Sequence, residues 1–575
     1  MEKDGWHRHR PFREPAMTLI HRLLLTLCLF TLPLTAAAAL HDQVAEQLRD
    51  RLEVATAEAG NGDADPERSP LHRFFLDRVY RPAWSEDGQP TARAEQLLAV
   101  LAESRGHGLA PAAYGYDQLS ETLRDWPEEP APGAVADLEL QLTRVWLQLA
   151  EDALTGQLNP DVVAPDWELQ SPPSEDLVQA LSQGLAEDDI ATAVRQLYPD
   201  QDNYHQMRRA LARFQALAEQ GDYPRMEAGP LLRVGDRDPR VETLREQLRL
   251  LGDLEDDAPL SETLYGEALE AAVRDFQRRH GLQVDGVVGP RTVAALNTPP
   301  ADRAEQLRVN LERLRWMPRD LGDRYILVNI AGFSMTVHAE GETVMRQRVV
   351  VGRDYRRTPV FTGNMTYLVL NPSWEVPHRL ATRDVLPLIQ RDPEYLERMG
   401  FRVLQGWGAD EREIDPESLD WDRYSHRYFP YRLRQLPGPQ NAMGRVKFMF
   451  PNRHNVYLHD TPSRELFQQP RRAFSSGCIR VERPLELAAW LLRDQRQWSP
   501  EAIDKALEER RERTVPLRRG IPVHLQYWTA WVDAEGTLHF RDDLYDRDTG
   551  VAAALAALPK PEPTLWPELG AATRR

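Results

Sequence analysis

One cysteine dominates the chemistry this chain could do. Cys478 sits in "AFSSGCIRV", residues 473–481, and the only other cysteine is Cys28, inside an apolar N-terminal segment. A cysteine nucleophile needs a base to take its proton and donors for the oxyanion on the attacked carbonyl. Among fifteen histidines, proximity in sequence singles out His454 and His459. In "VYLHD", Val456 and Leu458 alternate with Tyr457 and His459, so a strand there turns His459 away from the face that Val456 and Leu458 bury. His454 falls in the preceding "PNRHN" turn, where a surface or loop role is expected. Gly477 allows close backbone approach, and the N–H groups of Gly477 and Cys478 are the expected oxyanion donors. There is no H-E-x-x-H and no cysteine pair, so neither a metal nor a cofactor is expected. A buried structural thiol is the competing reading of Cys478.

The elements that must position these residues belong to a multi-domain α+β chain of 575 residues. Residues 1–39 read as an export signal or N-terminal anchor. His21 and Arg22 precede an apolar run from Leu23 to Leu34, and small residues follow at Ala36 to Ala39. Removal of that segment leaves Cys478 as the sole thiol, and an unpaired thiol in an exported protein asks for a reason. Any membrane contact is expected through this segment alone, if it is retained. A net charge of −18 argues against nucleic-acid partners.

Residues 40–228 show apolar spacing of three and four and predict a helical scaffold. Residues 229–298 predict a three-helix module. Val241, Leu244, Leu248 and Leu251 form one apolar face, and Leu269, Ala272, Val273 and Phe276 form another. Residues 299–321 read as a linker. From 322 to 550 the texture turns to β, with short runs such as "RYILVNI", "SMTVHAE", "RVKFMF" and "NVYLHD". An insertion at about 377–436 is partly helical and carries Trp407, Trp421, Tyr424, Tyr428, Phe429 and Tyr431, as a lid over the site would. "IPVHLQYWTAWVD" and "GTLHFRDDLY" predict a closing hairpin, and 551–575 a mobile tail.

"HDTPSRELFQQPRRAFSSGCIRV" resembles the signature of the YkuD-type L,D-transpeptidases: a His, about fifteen residues, then Ser/Thr-x-Gly-Cys, an apolar residue and Arg or Asn. Fifteen residues separate His459 from Ser475 here. Thr358-Pro359 in "VVVGRDYRRTPVF" matches a second family segment. "NPSWEVPHRLATRDVLP" and "GPQNAMGRVKFMFPNRHNVYLHDTP" look like the larger YcbB-like branch, which combines a helical scaffold, a peptidoglycan-binding module and a catalytic domain with a capping insertion. "LRVGD", "AVRDFQ" and "GLQVDGVVGPRT" likewise resemble the three-helix peptidoglycan-binding domain. Many relatives carry His where this chain has Ser476, so the base role rests on His459.

The resemblance implies a mostly β YkuD-like catalytic domain with Cys478 as nucleophile, His459 as general base and acid, and the Asp460 backbone carbonyl orienting the imidazole. Arg480, Ser475, Ser476 and Tyr457 are the expected substrate-binding residues. Arg480 either pairs with a substrate carboxylate or makes a structural salt bridge, and the two serines fit a turn-shaping role better than a reactive one. The implied reaction forms 3–3 cross-links between diaminopimelate residues through a cysteinyl thioester, releasing D-Ala. The implied location is the periplasm of a Gram-negative bacterium. The implied partners are peptidoglycan stem peptides and glycan, with other cell-wall synthases, and carbapenem-type β-lactams are implied to acylate the same cysteine. A thiol-dependent hydrolase of stem peptides and a non-catalytic wall-binding protein are the alternatives. An NlpC-like cysteine peptidase is disfavoured because there the cysteine precedes the histidine.

Overall fold

Apolar residues at helical spacing, stopped by glycine or proline, build the N-terminal half. The computed structural model describes residues 39–54, 69–165, 167–168, 175–255 and 263–558. Nearly all of the expected export segment, Cys28, and the tail from 559 lie outside the described residues. In the scaffold, α1 (Ala92–Glu103), α2 (Pro132–Thr155) and α3 (Asp202–Gln220) pack together. α2 starts on Pro132, whose missing N–H costs nothing in the first turn, and buries Leu142, Trp146 and Leu149.

The module follows as α4 (Arg240–Leu250), α5 (Glu267–Arg279) and α6 (Pro290–Leu296). Its apolar faces meet through Val241, Leu244, Leu248, Val273 and Phe276, all fully buried. Phe276 stacks on His280, and His280 stacks on Phe540 from the C-terminal hairpin, so the module is seated on the rest of the chain.

The expected linker is the main correction. Residues 300–315 form α7 (Pro300–Arg315), and Asn310, Glu312, Arg313 and Arg315 are all wholly buried. Glu312 accepts from the Leu158 N–H at 2.8 Å and from Arg315 at 2.5 Å. Arg315 donates to the His107 carbonyl, and Arg313 meets Asp548 at 2.5 Å. Buried charges survive only when paired and hydrogen-bonded. Their partners here come from more than 140 residues away in both directions, which is why the segment looks solvent-facing in sequence.

The β region that follows α7 is a closed sheet. β1 (Trp167–Glu168) comes from the scaffold. β2 (Arg324–Asn329), β3 (Ser334–Ala339), β4 (Glu342–Gly352) and β5 (Val360–Leu370) follow α7. β6 (Val446–Met449), β7 (Leu458–His459), β8 (Ala473–Ser475), β9 (Ile479–Val481) and β10 (Arg513–Gln526) complete the set. The order is β6-β7-β9-β4-β3-β2-β10-β5, and β5 pairs back with β6 to shut the ring. β8 pairs with β4, and β1 lies parallel to the start of β5, Trp167 opposite Val360. The first six residues of "IPVHLQYWTAWVD", Ile521–Gln526, therefore belong to β10, and the hairpin is the shorter pair Ala530–Val532 and Leu538–Phe540.

The insertion folds on its own core. Four antiparallel strands (Trp374–Glu375, Phe401–Gln405, Arg412–Ile414, Arg432–Gln435) and a helical run over 378–391 bury Val385, Ile389, Val403, Trp421, Phe429 and Leu433. The aromatics expected on a lid are thereby placed differently. Trp421 and Phe429 fill that core and Tyr424 and Tyr431 pack on it, while Trp407 and Tyr428 stay exposed. The expected mobile tail is also corrected over its first residues. α8 (Asp548–Ala556) buries Val551 and Leu555 against the core of the closed sheet.

Candidate active site

Strand register puts the chemistry on one face. Lys447 on β6 is paired with His459 on β7, and His459 with Arg480 on β9. Directly paired residues share a face, and residues two apart along a strand do too. Tyr457, His459, Cys478, Arg480 and Lys447 therefore stand together. The opposite face carries Phe448, Leu458 and Ile479, which are wholly buried in the barrel core. The alternation that fixes the core fixes the site.

The turn bearing Cys478 is held by hydroxyls and backbone. Ser475 donates through Oγ to the Cys478 carbonyl at 2.5 Å and accepts from the Gly477 N–H at 3.1 Å. Gly477 has φ +117°, a conformation that disfavours any side chain. Thr358, wholly buried, donates to the Gly477 carbonyl at 2.9 Å and accepts from the Gly352 N–H at 2.9 Å. Tyr545 donates to the Gly352 carbonyl and accepts from the Thr358 N–H. A Cβ on Gly352 would lie 2.1 Å from the Arg356 carbonyl, so the loop can return only over a glycine.

Two expectations change here. The Gly477 N–H is committed to Ser475, which removes it as an oxyanion donor and leaves that of Cys478. The Ser475 hydroxyl is likewise spent inside the turn and is buried, so it is a turn builder and not a substrate ligand. Ser476 is exposed, and its Oγ accepts from Arg356 at 2.9 Å.

His459 is buried, with Nδ1 2.5 Å from the Asp460 carbonyl oxygen. A carbonyl only accepts, so Nδ1 carries the proton and Nε2 is the basic nitrogen. Asp460 is fixed in turn, because its carboxylate accepts from the Arg445 and Thr461 N–H groups and pairs with Arg464. Burial, then the Arg480 cation, drives the His459 pKa down to about 3. Burial also raises the Cys478 thiol, against hydrogen bonds from the Tyr457 backbone and hydroxyl and the cations Lys447 and Arg480. At neutral pH the resting pair is thiol and neutral imidazole.

The other expected residues lie close by. Tyr457 is half-buried, hydrogen-bonded to the thiol, and its hydroxyl also meets Trp374 at the root of the insertion. Arg480 is desolvated, its Nε has no hydrogen-bond partner, and no carboxylate pairs with it among the described residues. His454 stands 2.7 Å from Glu168 of the scaffold strand and belongs to that contact. The sequence reading missed Lys447, whose Nζ lies 3.9 Å from the Tyr457 ring centre, and Arg356, which joins Ser476 to Asp384 of the insertion. One signal was available for Lys447: it is one of four lysines among 71 basic residues. Among the described residues no cluster of His, Cys, Asp and Glu could hold a metal.

Comparison with known proteins decides the class. Residues 323–514 match the family model of the L,D-transpeptidase catalytic domain, YkuD. The chain carries a YkuD catalytic domain. Residues 69–211 match a scaffold domain, and 237–296 match a "Putative peptidoglycan binding domain". A "Putative L,D-transpeptidase" of Haemophilus influenzae is 36% identical over 249 residues, covering 43% of this chain and 49% of that protein. The chain thus spans about half the length of that relative. The N-acetylmuramoyl-L-alanine amidase CwlM of Mycobacterium tuberculosis is 41% identical over 80 residues, covering 13% of this chain and 20% of its own. An L,D-transpeptidase structure from Mycobacterium smegmatis aligns at 13% identity with a TM-score of 0.17, covering 36% of this chain and 58% of that one. That superposition bears no weight; the YkuD match and the site geometry do.

Proposed function

We propose that this protein is a peptidoglycan L,D-transpeptidase that forms 3–3 cross-links between diaminopimelate residues. One observation carries the reading: a sole described thiol shares a sheet face with a histidine whose Nδ1 is tied to a carbonyl. In the first step Nε2 of His459 takes the thiol proton as sulfur attacks the carbonyl before the terminal D-Ala. The oxyanion meets the Cys478 N–H. Collapse breaks the amide bond, His459 returns the proton to the D-Ala amine, and a thioester remains. In the second step the side-chain amine of an acceptor stem attacks that thioester. His459 removes the amine's proton and restores it to the leaving sulfur. Arg480, unpaired and desolvated, suits a stem carboxylate through its fork. Neither step needs a metal or cofactor.

The insertion, tied to the catalytic turn through Arg356 and Trp374, suits exclusion of water from the thioester. The polar N-terminal flank and apolar run suit export, so we place the reaction in the periplasm, with other wall synthases as further partners. The test mixes purified protein with disaccharide-tetrapeptide and weighs the products. Cross-linked dimer plus free D-Ala is expected, and tripeptide alone would mark a hydrolase. Cys478→Ala and His459→Ala should each abolish turnover; wild-type activity in Cys478→Ala would overturn the mechanism. A carbapenem is expected to add its mass to wild type and not to Cys478→Ala.

A further inference from the structure

A cleft of about 450 Å³ opens between the module and the catalytic turn. One wall is Arg291, on α6 of the module; the other is Arg353 and Tyr355, in the loop after β4, with Arg471 and Phe474. β8 contributes Ala473 and Phe474 to its lining, and just past β4 the Arg353 N–H donates to the Ser475 carbonyl at 3.1 Å. That backbone runs directly into Cys478. A second concavity, about 370 Å³, lies between the module and the C-terminal hairpin, and it shares Arg291. The two concavities meet at Arg291, and the nearer one is lined by Ala473 and Phe474 of the strand that leads into the Cys478 turn.

The charge in the cleft is specific. Asp354 is neutralised by two hydrogen bonds from Arg471, at 2.7 and 2.8 Å. Arg353 touches the Tyr355 hydroxyl at 3.1 Å, and no carboxylate pairs with it among the described residues. Arg291 keeps only a 3.5 Å contact to Asp542, with both side chains more than half exposed. In a chain of net charge −18, Arg353, without a carboxylate partner among the described residues, and Arg291, held only by that long and exposed contact, mark a local field for anions. Tyr355 is 69% exposed between them and offers a flat ring, the surface on which the C–H face of a sugar packs.

We propose that this cleft seats the glycan strand of peptidoglycan outside the catalytic pocket: an amino-sugar chain bearing carboxylate-rich stems. The sugar ring rests on Tyr355, and carboxylates of neighbouring stems meet Arg291 and Arg353. The proposal rests on the transpeptidase reading, and it adds that the module and the catalytic domain hold one strand in common. A stem on a long glycan then gains contacts that an isolated disaccharide-tetrapeptide cannot reach.

The test compares two substrates in the full-length protein. D-Ala release is measured from intact sacculi and from disaccharide-tetrapeptide, for wild type and for the double variant Arg291→Glu, Tyr355→Ala. The ratio of the two rates is expected to fall about tenfold in the variant, the scale of one lost charge-assisted contact and one stacking contact. An unchanged ratio overturns the proposal, and a folding defect would lower both rates and leave the ratio where it was. If wild type releases no D-Ala from either substrate, the transpeptidase reading fails by itself. The cleft is then judged by co-sedimentation of the full chain carrying Cys478→Ala with sacculi. The two cleft substitutions should cut retention about tenfold at low salt, and equal retention overturns it.

Discussion

Replacing Thr358 with valine tests whether a single hydroxyl holds the catalytic turn. Valine keeps the shape and removes one donor and one acceptor from a wholly buried position. The Gly352 N–H and the Gly477 carbonyl, each 2.9 Å from that hydroxyl, are both left without a partner. An unsatisfied buried polar group costs about 1–3 kcal/mol, so the pair costs about 2–6 kcal/mol before relaxation. Backbone adjustment recovers part, and about 3 kcal/mol is expected to remain. Because about 1.4 kcal/mol is a factor of ten, local opening should become roughly a hundredfold more frequent. Hydrogen exchange read by mass spectrometry on peptides spanning Gly352 and Gly477 measures this directly. Thr358→Ser keeps the hydroxyl and should stay within about threefold of wild type. Exchange in Thr358→Val at the wild-type rate would refute the reasoning, since the hydroxyl would then hold nothing.

Other perturbations reach the same site. Lys447→Met keeps the aliphatic stem and removes the cation, so the thiolate loses support and the pH midpoint of Cys478 alkylation should rise; an unmoved midpoint would exclude Lys447 from the thiol's electrostatics. His459 titrates near 3 in the fold and His107 near 2, both below the ordinary 6.5. The unfolded chain thus binds more protons as pH drops below 6.5, and stability should be flat above that value and decline toward 3. Thermal unfolding of His459→Gln should show a shallower decline than wild type; parallel curves would contradict the burial cost. Arg356→Ala cuts the link between Ser476 and Asp384, and limited proteolysis of the insertion should quicken a few-fold. Asp384→Asn should do the same, and the double variant should add little, as expected for partners in one contact.

Much of the site was legible because it obeys a local rule. The two-residue alternation in "VYLHD" and "GCIRV" already places Tyr457 with His459 and Cys478 with Arg480. The module was legible for the same reason, its apolar faces falling at helical spacing. What escaped needed register or distant partners. Lys447 joins His459 only through the pairing of β6 with β7, which no spacing within "RVKFMF" reveals. The charges of α7 look solvated until Leu158, His107 and Asp548 are brought to them. The aromatics of the insertion suggest a lid over the site, yet a unit of about sixty residues must first fill its own core, and Trp421 and Phe429 are spent there. The Gly477 N–H looked free until Ser475, two residues back, was seen to turn its hydroxyl onto it.

The strand Trp167–Glu168 has a consequence for how this protein can be cut. It pairs with Val360–Phe361 ahead of β6, and Trp167 packs edge-on against Trp316 at the end of α7. A fragment beginning at 322 would leave that stretch of β5 with unpaired backbone groups beside bared apolar surface, the condition under which chains associate edge to edge. Similarity to other catalytic domains begins at 323, but the sheet draws one of its strands from the scaffold. The length of chain that relatives share and the length that must fold together are different, and only the longer one carries a closed edge beside the nucleophile's barrel.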